Sequence, residues 1–220
     1  MNEAVAINPK ISQKSAYLPN PLLKVKMTTP SAREAARKAL NLKDEDIVIG
    51  NAGWLIQRKR FDVFLRVCAG LKKRKNNIKI IIAGDGEEKE NLIHLSKTLG
   101  IADDIIWLGW QKDMKIFYNT LDIMLFNSDW DAVGLSPLES IQRGIPTFTS
   151  VLHGGLKEIL KDKFSIFFQG DHNEEKLVTK IQYAINNKKE VRQLTLSCRE
   201  HINHISDSQR ISRKVLETYK

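Results

Sequence analysis

The segment SDWDAVGLSPLESIQRGIPTF, Ser128 to Phe148, sets two carboxylates, Asp131 and Glu139, on either side of a short run holding Gly134 and Pro137. The pattern predicts Asp131 in a loop and Glu139 about one turn inside a helix, with Pro137 where a missing N–H has no partner to lose. The backbone N–H groups of Gly134, Leu135 and Ser136 then point out of the helix mouth toward an anion. A carboxylate does not ligate phosphate, so Glu139 is expected to accept hydrogen bonds from hydroxyls, as on a ribose. Asp131 would do the same for another polyol. Taken singly, either acid is better explained as one that favours a helix N-terminus. Upstream, Arg58-Lys59-Arg60 places three cations where another helix is about to begin. Arg grips two phosphoryl oxygens at once, and Lys acts as a mobile point charge. Alone, that run reads as a solvated helix start. Two acids flanking one phosphate cradle outline a sugar, a diphosphate and a ribose in series: a nucleotide-sugar.

The elements that must position these groups are legible as alternating runs. DIVIGNAG (46–53), IKIIIAG (78–84), DIIWLG (104–109), LDIMLFN (121–127), IPTFTS (145–150) and FSIFFQG (164–170) are short, apolar and rich in β-branched residues. Continuous rather than alternating apolarity predicts strands buried on both faces. Helical patterns near 61–74, 87–98, 112–119, 134–143 and 155–161 separate them, and three more, near 173–187, 189–203 and 207–219, close the chain. Ser31 with Glu34 predicts a capping box ahead of a helix ending near Leu40. The expectation is a doubly wound, Rossmann-like α/β domain with about six parallel strands and helices on both faces, spanning 31–205. Residues 1–30, with four prolines, read as an irregular segment, and 206–220 as a closing helix. In such sheets ligands sit beyond the carboxyl ends of the strands. The informative loops are therefore GWLIQRKRFD, AGDGEE, LGWQKD, SDWDAVGLSPLE and SVLHGGLKE. Their glycines permit positive φ or a close approach of backbone to ligand.

Composition narrows the partners without choosing one. The 220 residues are 42% hydrophobic and carry a formal charge of +9, enough for a real core and a basic surface. Nucleotides, phosphoryl groups and acidic lipid headgroups all suit that charge, so peripheral contact with an anionic membrane is compatible with it. A nucleic-acid partner is not expected, because no basic stripe interleaved with aromatics is present. Cys68 and Cys198 have neither metal nor disulfide spacing, which predicts a reducing compartment. No apolar run approaches the roughly 18 residues needed to span a bilayer, and no signal-peptide pattern opens the chain. The expected location is cytoplasmic, with peripheral attachment at the inner membrane face as an extension. Neither G-x-x-x-x-G-K-[ST] nor a G-x-G-x-x-G after the first strand occurs, which disfavours a P-loop ATPase and an ordinary NAD dehydrogenase. His153 reads as a surface loop histidine.

Taken together, these blocks resemble one family. D-A-V-G-L-S-P-L-E is similar to the E-G-F-G-x-x-x-x-E signature of the retaining family 4 glycosyltransferases, the glycosyl transferases group 1, which have a GT-B fold. G-W-L-I-Q-R-K-R-F-D, I-I-I-A-G-D-G-E-E-K-E-N-L, I-I-W-L-G-W and G-I-P-T-F-T-S followed by H-G-G-L-K-E-I resemble the family's other blocks in order, over roughly residues 47 to 160. The final ISRKVLETY resembles its closing helix. The resemblance implies that Lys59, helped by Arg58, neutralises the donor diphosphate; that Glu139 holds the ribose; and that Asp131 holds the sugar hydroxyls. It implies that the 134–136 amides cradle phosphate, that backbone near Gln111 meets the nucleobase, and that Gly84 and Gly86 line the cleft. The implied reaction moves a hexose from a UDP- or GDP-sugar to a hydroxyl of a glycan or lipid-linked acceptor, with retention. Neither a protein nucleophile nor a metal nor another cofactor is implied, since the site's cations stabilise the leaving diphosphate.

Departures from the family pattern are specific. Asp131 replaces a glutamate, Ala132-Val133 replace Gly-Phe, Trp54 stands where the family has a second phosphate-binding cation, and Arg60 stands where it has glycine; Arg58 or Arg60 is the expected compensation for Trp54. The run Tyr17-Leu18-Pro19-Asn20-Pro21-Leu22 resembles the family's interdomain hinge, so the chain reads as a donor-binding half whose acceptor half acts in cis or in trans. A non-catalytic nucleotide-sugar-binding module and a nucleotide-sugar epimerase on the same scaffold are the alternatives.

Overall fold

The computed structural model describes residues 25–150, 153–160, 164–167 and 169–218. The predicted hinge at Tyr17–Leu22, and most of the 1–30 segment, lie outside the described residues. The strands are β1 (Ile47–Ala52), β2 (Ile78–Ala83), β3 (Ile105–Gly109), β4 (Ile123–Phe126) and β5 (Thr147–Thr149). They form one parallel sheet in the order β3-β2-β1-β4-β5. The helices are α1 (Pro30–Ala39), α2 (Phe61–Arg74), α3 (Lys89–Thr98), α4 (Lys115–Thr120), α5 (Leu135–Gln142), α6 (Gly155–Leu160), α7 (Glu174–Asn186), α8 (Lys188–Ile205) and α9 (Ser208–Thr218).

Every residue of β1 and β4 is buried, as continuous apolar runs require when helices cover both faces. On one face α2 buries Val63, Phe64, Val67 and Leu71 and packs against α7, where the absence of a side chain at Gly70 admits Val178. On the other, Gly50 in β1 leaves room for Phe117 and Leu121 at α4. Each fully buried Phe, Leu or Ile contributes roughly 1.5–3 kcal/mol, so this two-sided core sets the fold. At the opposite edge from the loops of interest, Asp122 accepts from Val48 N at 2.8 Å, Arg33 Nη2 at 2.7 Å and Arg37 Nη1 at 3.3 Å, tying α1 to the sheet.

Three expectations are corrected. The sheet has five strands, not about six: 164–170 contains a 3₁₀ turn, Ser165–Phe167, in place of a strand. Phe164 and Phe167 are both buried, and Phe167 meets Phe148 edge-on with centroids 5.4 Å apart. Phe164, just before the turn, meets His201 with ring centres 5.6 Å apart, so both phenylalanines are buried without a sixth strand. The fifth strand occupies only Thr147–Thr149 of the expected 145–150. Finally, the cap of α1 is Thr29, whose Oγ1 accepts from Ala32 N at 3.2 Å, and not Ser31. Pro30 takes the first helical position, where its missing N–H costs nothing, and this moves the cap one residue before it.

Candidate functional site

Two loops at the carboxyl edge carry most of the chemistry. After β1 the chain makes a 3₁₀ turn, Gln57–Lys59, and Arg60 then adopts a left-handed conformation (φ 49°, ψ 44°) at the start of α2. After β4 the chain runs through Ser128–Ala132 to Gly134, also left-handed (φ 71°), which begins α5. The loops are stitched residue by residue. Arg58 O accepts from Asp129 N at 2.9 Å and from Ser128 Oγ at 3.2 Å. Arg58 Nη1 donates to Trp130 O at 3.2 Å while its guanidinium lies 5.4 Å from the Trp130 ring centre. Lys59 Nζ donates to Asp131 Oδ2. Arg60 Nη1 donates to Asp129 Oδ1 at 3.2 Å. Three consecutive cations, which would otherwise repel one another, are each answered from the facing loop.

Asp131 has a second task. Its Oδ1 accepts from Gly134 N at 2.8 Å and Val133 N at 3.3 Å, capping the entry to α5. This corrects the expected cradle, because the Gly134 N–H is already engaged. Leu135 and Ser136 keep the first-turn donors that a helix leaves without an intrahelical partner. Ser136 Oγ donates to Ala52 O at 3.1 Å and locks α5 onto the end of β1.

Glu139 sits one turn further on, beside residues that the sequence did not single out. The buried Tyr118 donates its hydroxyl to Ser136 O at 3.2 Å, and burial, with the Glu139 carboxylate adding to it, pushes its phenol well above the usual range. The Arg143 guanidinium lies 4.2 Å from the Tyr118 ring centre, donates to Glu139 O at 3.2 Å and comes within 3.8 Å of Glu139 Oε2. The signal for Arg143 was its i,i+4 spacing from Glu139. Tyr118 had none beyond an apolar helical pattern.

Two adjoining cavities share Ala52, Gly53, Leu135 and Ser136. The first, about 350 Å³, is lined by Trp54, Gly84, Gln111, Tyr118 and Glu139 among others. The second, about 370 Å³, is lined by Lys59, Asp131 and Gly134. The structure thus brings Lys59, Gly84, Gln111, Asp131, Gly134, Leu135, Ser136 and Glu139 to one place. Arg58 and Gly86 are not at these cavities. Arg58 lines a separate cavity with Arg60 and Asp129, because Trp130 draws it away. At Gly86 a Cβ would overlap the Leu55 carbonyl, and at Gly84 that of Gly53, so both glycines permit close loop-on-loop packing, and Gly84 lines the first cavity as well. Arg60, the other expected compensation for Trp54, lines that separate cavity too. It holds Asp62 through Nε and Nη2 at 3.0 and 3.2 Å as well as Asp129. Among the described residues, Lys59 is the one cation lining the two cavities. Trp54 and Trp110, both largely exposed, stand at the mouth of the first. The Gln111 side chain turns back to Leu108 O at 2.6 Å. Among the described residues no group of three or more His, Cys, Asp or Glu could hold a metal ion, and no helix is long and apolar enough to cross a membrane.

A five-stranded parallel sheet flanked by helices, with two adjoining cavities at its carboxyl edge, defines a Rossmann-like domain. Residues 32–200 match the model of the glycosyl transferases group 1, and the chain belongs to that family. It is 30% identical over 152 residues to the O-antigen biosynthesis glycosyltransferase WclY of Escherichia coli, covering 69% of this chain and 41% of that protein. It is 27% identical over 163 residues to an uncharacterized glycosyltransferase of Haemophilus influenzae, covering 74% of this chain and 46% of that one. The chain therefore spans less than half the length of these relatives. Among solved structures, Anabaena HepE in complex with UDP and glucose superposes with a TM-score of 0.79 at 18% identity, over 92% of this chain and 55% of that one. The C-terminal domain of a glycosyl transferase group 1 protein (LpcC) from Francisella tularensis superposes with a TM-score of 0.68 at 16% identity, over 80% of this chain and 93% of that domain. The fold is one half of a GT-B fold, the C-terminal half.

Proposed function

We propose that the chain is the donor-binding half of a retaining glycosyltransferase that moves a hexose from a UDP- or GDP-sugar to a hydroxyl of a glycan or lipid-linked acceptor. The observation that carries this reading is the convergence of Lys59, Asp131, Glu139 and the first amides of α5 on two adjoining cavities. The first cavity suits a nucleoside, with Glu139 accepting from the ribose and the backbone near Gln111 meeting the base. The diphosphate lies where the cavities join, against the Leu135 and Ser136 N–H groups and the positive end of α5. Lys59 exchanges Asp131 for the diphosphate, and the freed Asp131 carboxylate accepts from sugar hydroxyls. As the anomeric C–O bond to the diphosphate breaks, Lys59 and the amides stabilise the charge that collects on the leaving oxygen. The acceptor oxygen bonds the anomeric carbon on the same face, and its proton passes to the departing phosphate.

Positioning the acceptor falls to an N-terminal half, in cis or in trans. The proposed location is the cytoplasmic side of the membrane, where the basic surface can contact anionic lipid. A non-catalytic nucleotide-sugar-binding module is the second reading, favoured by Trp54 in the place of a cation and by Lys59 standing alone. Calorimetric titration with UDP, GDP and their sugars tests the donor site. Binding of at least one nucleoside diphosphate is expected, and Lys59→Ala should weaken it about tenfold or more, the loss of one charge-assisted contact. Absence of binding to either diphosphate would overturn the reading.

A further inference from the structure

Outside the two donor cavities, a chain of polar side chains crosses the same sheet edge. Asn127, just past β4, donates from Nδ2 to Ser150 Oγ at 2.6 Å, just past β5. Ser150 Oγ lies 2.8 Å from His172 Nδ1, and His172 Nε2 lies 2.9 Å from Asp129 Oδ1. That same carboxylate oxygen accepts from Arg60, which also grips Asp62. The carboxylate fixes one end of the chain: Asp129 can only accept, so His172 Nε2 carries a hydrogen, and in the neutral ring Nδ1 then accepts the Ser150 hydroxyl, while Ser150 accepts from Asn127. Asn127 and Ser150 are fully buried. The network is anchored in the core and ends at an exposed turn.

That turn is the one that presents Lys59. Asp129 straddles it: the backbone N–H bonds the carbonyl of Arg58, before Lys59, and the carboxylate bonds the guanidinium of Arg60, after it. Arg60 holds a left-handed conformation that a side chain disfavours, so something must hold it there. Asp62 holds it from its own helix, and Asp129 holds it from across the gap.

We propose that His172 and Asp129 are positioning residues for the donor diphosphate, fixing the turn so that Lys59 stays aimed into the cavity when a ligand takes it from Asp131. Neither touches the ligand. The inference rests on the donor-site reading and adds to it two residues outside the cavities that reading uses.

The test compares UDP with UMP by calorimetry, with GDP and GMP as the second pair. The ratio of monophosphate to diphosphate dissociation constants isolates what Lys59 contributes at the second phosphate. His172→Phe, which fills the space without hydrogen-bonding groups, should shrink that ratio about tenfold while UMP affinity is unchanged. His172→Gln, whose amide can still donate to Asp129, should recover most of it. Asp129→Asn should fall between them, and Lys59→Ala sets the floor. A ratio in His172→Phe equal to wild type, with Lys59→Ala still losing it, overturns this inference and leaves the donor site standing. Equal losses of UDP and UMP in His172→Phe and His172→Gln overturn it as well, since they mark general disruption. If the wild-type chain binds no nucleoside diphosphate, the donor-site reading itself fails and this inference with it.

Discussion

Lys59 and Asp131 stand 72 residues apart in sequence and form an ion pair across the second cavity, with side chains only 16% and 14% exposed. The cation best placed for a diphosphate is thus already neutralised by the acid best placed for a sugar. A ligand carrying both groups satisfies both partners when it separates them. A nucleoside diphosphate without the sugar satisfies only one, and leaves Asp131 short of its counter-charge.

Replacing Asp131 by Asn should therefore strengthen UDP binding. Asn keeps a side-chain oxygen for the Gly134 and Val133 amides, so the cap of α5 survives. Only the competing charge is removed, and a partly exposed pair is worth about 1 kcal/mol, or roughly fivefold in affinity. UDP-sugar should gain less than UDP, because its hydroxyls lose a charged acceptor. Calorimetry on both ligands decides it. Weaker UDP binding in the variant would mean that Asp131 does not compete for Lys59.

Glu139→Gln should separate nucleoside from phosphate recognition. An amide oxygen accepts ribose hydroxyls less strongly than a carboxylate, so UDP affinity should fall about tenfold. Inorganic pyrophosphate, which would reach Lys59 and the α5 amides without a ribose, should bind as before. Competition between pyrophosphate and UDP reads both constants in one experiment. Parallel losses for the two ligands would place Glu139 at the phosphates instead.

Much of this was legible in the chain. Continuous apolar runs marked all five strands: burial of β1, β4 and β5 on both faces leaves no alternation to disguise them, and the edge strand β3 is apolar throughout although only partly buried. The pairing of Asp131 and Glu139 around Gly134 was legible too, since glycine and proline fix where α5 begins. What was hidden depended on contacts distant in sequence. Nothing in Arg58-Lys59-Arg60 says which cation faces the cavity; that is decided by Trp130, Asp131 and Asp129 on the facing loop. Phe164 and Phe167 read as strand residues, and their partners come from elsewhere in the chain, Phe167 meeting Phe148 and Phe164 meeting His201. His172 carried no local pattern, and its partners lie 22 and 43 residues away.

Gly154→Ala should disturb the site from behind. Gly154 has φ +121°, and a Cβ there would overlap the Asp131 carbonyl oxygen, a backbone atom that cannot swing aside. The carbonyl of His153, its neighbour, accepts from Asp131 N at 3.2 Å, so the two segments must move together. Strain of this kind costs about 1–3 kcal/mol. Thermal unfolding should show the loss, and the preference for UDP-sugar over UDP should shrink because Asp131 is displaced. An unchanged melting temperature would show that the 153–155 segment yields freely.

Arg60→Gly sets two effects of similar size against each other. Glycine takes the left-handed conformation without the roughly 1–2 kcal/mol that a side chain pays there. Against this stand the lost ion pairs to Asp62 and Asp129, partly exposed and worth about 0.2–1 kcal/mol each. Stability at neutral pH should thus change by about 1 kcal/mol or less. The acid side should differ. Burial pushes the Asp62 carboxyl up, but the hydrogen bonds and charge of Arg60 outweigh it and hold the group below its ordinary range. A depressed carboxyl stabilises the fold above its unfolded pKa of about 3.9, and that contribution fades as pH falls through the lower folded value. The wild type should therefore lose more stability than the variant between neutral pH and about pH 3. Binding should respond differently again, since the turn loses its hold on Asp129 and UDP affinity falls about tenfold with little change in melting temperature. Unfolding scans at both pH values and a UDP titration check the three outcomes; a variant that binds UDP as the wild type does would show that Lys59 is aimed without Arg60.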